Sequence, residues 1–84
     1  MTIVKALRSS FDYQGSCPIY WTGETVDGSK VSLCCRNGYI KLTLFSPESS
    51  VEVALERETD VQDFSVDHYN IDAVCRATGV ELVP

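Results

Sequence analysis

Much of what this 84-residue chain lacks bears on its function. No run of residues approaches the roughly 18 consecutive apolar side chains that a membrane-spanning helix needs. There is one histidine, one tryptophan and one methionine. Lysine and arginine number 7 against 12 aspartates and glutamates, giving a net charge of −5. Nucleic-acid backbones are held by clustered Lys and Arg, so this balance argues against nucleic acid as a direct ligand, and equally against anionic membrane surfaces. Neither the G-x-x-x-x-G-K-[ST] nor the G-x-G-x-x-G phosphate loop occurs. The opening residues, MTIVKALR, have no basic stretch followed by a long apolar one, so the expectation is a cytoplasmic protein without a secretory leader.

The four cysteines, Cys17, Cys34, Cys35 and Cys75, are an even count. In a reducing compartment they read as small buried hydrophobes rather than disulfides. Zinc sites in small domains bring ligands in pairs two to four residues apart. No such pair is present, and adjacent Cys34 and Cys35 point to opposite faces of any strand that contains them. His68, Asp72 and Cys75 fall at i, i+4 and i+7 of a helical stretch and imitate a thiol–imidazole–carboxylate set. Seven residues of helix separate the thiol from the imidazole by about 10 Å of rise, beyond the reach of a general base. The expectation is therefore no catalytic residue, no metal and no cofactor. A thiol-dependent enzyme or sensor built on Cys75 and His68 is the least favoured alternative.

What is present is a set of turn signals. Asn37-Gly38 lies between VSLCCR and YIKLTLF, and Asn-Gly is the strongest two-residue hairpin signal because a type I′ turn needs positive φ at both positions. That turn pairs Arg36 with Tyr39, Cys35 with Ile40, Leu33 with Leu42 and Val31 with Leu44. One face then carries Val31, Leu33, Cys35, Ile40, Leu42 and Leu44 as core. Upstream, a three-residue loop of Val26, Asp27 and Gly28, with Gly28 left-handed, places Ile19, Trp21 and Gly23 on the same core face. A two-residue turn would expose the Trp21 indole at greater cost. After Pro47, a strand from about Val51 to Glu58 alternates Val51, Val53 and Leu55 with Glu52, Ala54 and Glu56. The segment from Thr2 to about Tyr13 fits helix or strand, and strand is favoured. A helix is expected from an N-cap at Ser65 to Gly79, with Val66, Asn70, Ala73, Val74 and Ala77 on one face. A short closing strand follows through Val80 and Leu82. The fold expected for residues 1–84 is a single α+β domain: an antiparallel β-meander of four to five strands with one C-terminal helix packed on one face.

Charge is distributed unevenly. Residues 1–47 hold five basic and three acidic side chains, whereas residues 48–84 hold two basic and nine acidic ones. Glu48, Glu52, Glu56, Glu58 and Asp60 are all even-numbered and would project from one side of a continuous strand, with Asp63 extending the row. These six residues are the candidate partner-binding site, for a protein with a basic surface. Tyr20, Tyr39 and Phe45, on the outer face of the meander near Arg36 and Lys41, form a candidate second interface, and a homodimer through that face is an alternative.

The stretch from Cys17 to Tyr39, CPIYWTGETVDGSKVSLCCRNGY, resembles small uncharacterised bacterial and phage proteins that carry a Cys-Pro, a Trp-x-Gly and Gly-marked hairpins in this order. It covers about a quarter of the chain and implies a meander fold rather than an activity. In size and acidity the chain is also similar to phage-encoded inhibitors of host defence, including anti-CRISPR proteins. That likeness implies a non-enzymatic inhibitor that mimics nucleic acid in a basic groove.

Overall fold

The computed structural model describes residues 4–16, 19–36, 38–49, 51–61, 67 and 69–84. Nine elements follow in chain order: β1 (Val4–Leu7), a 3-10 turn (Arg8–Ser10), β2 (Asp12–Ser16), β3 (Ile19–Glu24), β4 (Lys30–Arg36), β5 (Tyr39–Phe45), β6 (Val53–Asp60), α1 (Ile71–Thr78) and β7 (Val80–Val83). Strands β2 to β6 form one antiparallel sheet in sequential order, and β1 pairs with β7 in a separate two-stranded parallel sheet. The fold is α+β, as the turn chemistry and patterning predict.

The meander follows its turns. Gly38 has φ +79°, and the β4–β5 register pairs Arg36 with Tyr39, Cys35 with Ile40, Leu33 with Leu42 and Val31 with Leu44. Asn37 lies outside the described residues. At the β3–β4 turn Gly28 has φ +92°, and the Thr25 amide donates to the Ser29 carbonyl at 2.8 Å, closing the three-residue loop of Val26, Asp27 and Gly28. The Asp27 carboxylate holds that loop by accepting from the Thr25 hydroxyl and the Ser29 amide; the Thr25 bond in particular holds the Asp27 pKa below its ordinary value. The register that results, Trp21 opposite Leu33 and Gly23 opposite Val31, turns the indole inward. An added Cβ at Gly23 would meet the Phe11 ring at 2.5 Å, so glycine is what lets Phe11 pack over β3.

The inner face of the sheet, Val31, Leu33, Cys35, Ile40 and Leu42, packs with Val4 and Ala6 of β1, Val74 and Cys75 of α1 and Val80 of β7. Full burial of such side chains is worth roughly 1.5–3 kcal/mol each, and this layer is the core. Two sets of side-chain bonds hold the 3-10 turn, one to α1 and one to β3. Arg8 donates to both carboxylate oxygens of Asp72, at 2.9 and 2.5 Å. The Ser10 hydroxyl donates to the Leu7 carbonyl at 2.6 Å and accepts from the Glu24 amide at 2.8 Å.

Three features differ from expectation. The N-terminal segment is not one strand; the turn at Arg8–Ser10 breaks it into β1 and β2, which join different sheets. The helix starts five residues later than expected, with its N-cap at Asn70 rather than Ser65. The Asp67 side chain accepts from the Tyr69 amide at 3.0 Å and its carbonyl from the Asn70 amide at 3.1 Å, a local turn that competes with helix. Asn70 then caps α1 by accepting from the Asp72 and Ala73 amides at 3.0 and 3.3 Å. Ser65 and Val66 lie outside the described residues. The buried face of α1 is Val74, Cys75 and Thr78, with Ile71 and Ala77 packed beside them, rather than the face centred on Asn70 and Ala73. Among the described residues no helix is long and apolar enough to cross a membrane.

Candidate functional site

With one face of the five-stranded sheet packed, the other carries the polar residues, and the register arranges them in rows across the strands. One row runs Glu56, Thr43, Ser32, Thr22, Asp12 from β6 to β2. The next runs Glu58, Lys41, Cys34, Tyr20, and the third Asp60, Tyr39, Arg36. Directly opposed side chains on neighbouring strands stand about 4.5–5.5 Å apart at Cβ. The outer face is therefore graded: carboxylates on β6, Lys41 beside them on β5 and Arg36 one strand further, then hydroxyl and aromatic groups, with Asp12 alone on β2. Cys34, Arg36, Tyr39, Lys41 and Glu58 line a shallow depression of about 430 Å³.

The six residues of the expected acidic row do not act as one unit. Glu56, Glu58 and Asp60 do share the outer side of β6, opposite Thr43, Lys41 and Tyr39. The alternation fails upstream. Leu44 faces Leu55 but Phe45 faces Val53, so one extra residue, Ala54, bulges out and the parity inverts. Val51 is 84% exposed instead of lining the core side, and Val53 is also exposed. Glu52 precedes the strand, its carbonyl accepting from the Ser46 amide at 2.8 Å, and Glu48 sits in the turn after β5, where its amide donates to the Ser46 hydroxyl at 3.3 Å. Asp63 lies outside the described residues. The Lys41 ammonium, opposite Glu58, reaches diagonally to Glu56 at 3.5 Å; both side chains are about half exposed, and such a pair is worth only ~0–1 kcal/mol.

The three candidate aromatics are spread out. Tyr39 is 37% exposed at one end of β5, and Phe45 is half-buried at the other, six residues or roughly 20 Å away. Tyr20 is half-buried on β3, its hydroxyl accepting from Ser32 at 2.8 Å. Ring contacts form instead on the inner side at the β2 edge, where Tyr13 meets Trp21 edge-on at 5.5 Å between centroids and Tyr69 at 5.8 Å.

One residue that reading the sequence missed is Arg57. The same parity that turns Glu56 and Glu58 outward turns Arg57 inward, opposite Leu42. Its Nε and Nη2 are buried against Gly79 at the left-handed end of α1 and have no hydrogen-bond partner among the described residues. The signal was available: alternation from Leu55 to Asp60 places an arginine among the core positions.

Cys34, Cys35 and Cys75 carry free thiols. Cys34 is half-buried on the outer face and Cys35 is buried on the inner, as strand alternation requires. Burial pushes the Cys35 thiol up to about 11 and the Cys75 thiol up to about 12, with Cys34 and Asp72 as the respective secondary causes. A thiol held this firmly protonated is the reverse of an activated nucleophile. Asp72 is engaged by Arg8, and His68 lies outside the described residues. Among the described residues no three His, Cys, Asp or Glu side chains converge as metal ligands.

Fold and site together define a small α+β domain whose meander sheet is packed on one face and graded in charge on the other. Compared with protein-family models, curated proteins and solved structures, the chain matches none.

Proposed function

We propose that this protein is a non-enzymatic protein-binding module that engages a cationic protein through the β6 side of its outer face. The observation that carries this reading is the alignment of Glu56, Glu58 and Asp60 on one side of the last strand of the sheet. Successive carboxylates two residues apart stand roughly 6.6–6.8 Å from one another, a spacing that rigid strand geometry holds in place. Lys41 and Arg36, one and two strands inward, add a second column of opposite sign. Complementary charge of this kind steers association and fixes register more than it adds affinity. An inhibitor that occupies the basic groove of a nucleic-acid-handling protein, as in phage anti-defence, is the form of this reading that size and acidity suggest. The three aligned carboxylates support it, and the neighbouring cations favour a protein surface of mixed charge over a plain phosphate mimic.

The test is reversal of Glu56, Glu58 and Asp60 to Lys, with the fold verified by circular dichroism. Proteins that wild-type protein retains from a bacterial lysate at ~50 mM salt should be released at ~300 mM and ignored by the reversed variant, because exposed charges are screened within about 10 Å at ~0.1 M. Equal retention by both proteins at both salt concentrations would defeat the reading.

A further inference from the structure

Among the described residues strand β6 is the terminal strand of the sheet and pairs with β5 alone. Among the described residues no backbone hydrogen bond joins its other side, between Val53 and Thr59, to any further element. A terminal strand presents a row of backbone N–H and C=O groups that another extended chain can complete. Beyond the bulge at Ala54, the five residues from Leu55 to Thr59 pair with β5 without interruption, about 17 Å of regular template.

We infer that this edge receives an extended segment of another protein, added as a sixth strand, with Lys or Arg at every second position. The inference rests on the binding reading above and specifies its partner. Its ground is charge complementarity together with the terminal place of β6 among the described strands. Side chains of an added strand fall directly opposite those of β6 on the same face, so every second residue of the newcomer stands beside Glu56 or Glu58. The residues between them fall beside Leu55, Arg57 and Thr59, where the inward-facing guanidinium disfavours a further cation. The bond from Lys41 to Glu56 is between half-exposed groups and yields readily to a closer cation.

A second copy of the chain does not suit the site. A two-fold axis joining two β6 strands antiparallel keeps outer face with outer face, so in every register centred between Arg57 and Asp60 carboxylates meet carboxylates, a destabilising arrangement. The same charges that refuse self-pairing select a basic strand.

The probe is a capped octapeptide of alternating Lys and Thr, titrated into the intact isotope-labelled protein at ~20 mM salt, where exposed charges act over some 20 Å. Two controls accompany it: the same peptide N-methylated at alternate backbone amides, and a Glu–Thr peptide. Expected are slowed hydrogen exchange at alternate β6 amides with the Lys–Thr peptide, binding about tenfold or more weaker after N-methylation, since two or three hydrogen bonds of ~0.5–1.5 kcal/mol each are lost, and no binding of the Glu–Thr peptide. If the N-methylated peptide binds as tightly as its parent, the sixth strand is refuted while charge-led docking stands. If the Lys–Thr peptide does not bind although the triple charge reversal abolishes partner retention, the strand model alone falls. Failure of both tests removes the binding reading itself. Protection of β6 that rises with protein concentration in the absence of peptide would show self-pairing and overturn the inference.

Discussion

The two edges of the meander sheet are built differently. At one end β2 is five residues long, its register shifts between Tyr13 and Gly15, and its inner side is banked by the Tyr13, Trp21 and Tyr69 rings. At the other end β6 is eight residues long, its one irregularity is confined to its start, and from Glu56 to Asp60 it carries a carboxylate at every outward position. Bulges and short length blunt an edge by spoiling the template; charge leaves the template intact and restricts what joins it. The β2 edge is closed by shape, and the β6 edge is filtered by sign.

The largest way to break this comparison is through Phe11, which packs over Gly23 at the root of β2. Phe11→Ala should cost about 3–5 kcal/mol in urea unfolding, by loss of burial and a residual cavity. Gly23→Ala should cost about 1–3 kcal/mol by overpacking, and Phe11→Leu in the same chain should recover part of it. Next in size, Glu56→Lys with Glu58→Lys should weaken partner binding about tenfold or more, equivalent to ~1.4 kcal/mol, while stability moves within ~0.5 kcal/mol. Asp12→Lys at the opposite edge should leave binding unchanged, and equal losses from both edges would erase the distinction drawn between them. Arg57→Leu removes two buried nitrogens that lack partners among the described residues and should raise stability by about 1 kcal/mol, read as a higher urea midpoint. A clear fall would show that the guanidinium has a stabilising role at the helix end.

The smallest effect concerns pH and the core common to both edges. An ordinary thiol releases its proton near 9.0, whereas folded Cys35 holds its proton to about 11 and folded Cys75 to about 12. Above pH 9.0 the unfolded chain binds fewer protons than the folded one, so stability is complete below that pH and declines as pH rises towards about 12. Cys75→Ala should flatten the decline measured by thermal unfolding at successive pH values.

The legibility of these features varies along the chain. The β4–β5 pairing was readable residue by residue, because Asn37-Gly38 and strand alternation leave one register that buries Leu33, Ile40 and Leu42 together. The bulged β3–β4 turn was readable because exposing Trp21 costs more than exposing Thr22. The helix start was not: Ser65 and Asn70 are both good caps, and which one begins α1 depends on the packing of Ile71, Val74 and Cys75 against the sheet. The bulge at Ala54 left no mark in a run of alternating Val, Glu and Leu, so Glu48 and Glu52 were grouped with carboxylates they do not join.

Local chemistry alone determined where this chain turns and which side chains share a strand face, since glycine at positive φ and the two-residue period act over a few neighbours. Tertiary structure decided the pairing of β1 with β7, the inward burial of Arg57, and the placing of Lys41 and Arg36 beside the carboxylates. Those outcomes depend on groups distant in sequence meeting across strands, where burial and opposed charge, rather than backbone preference, set the energy.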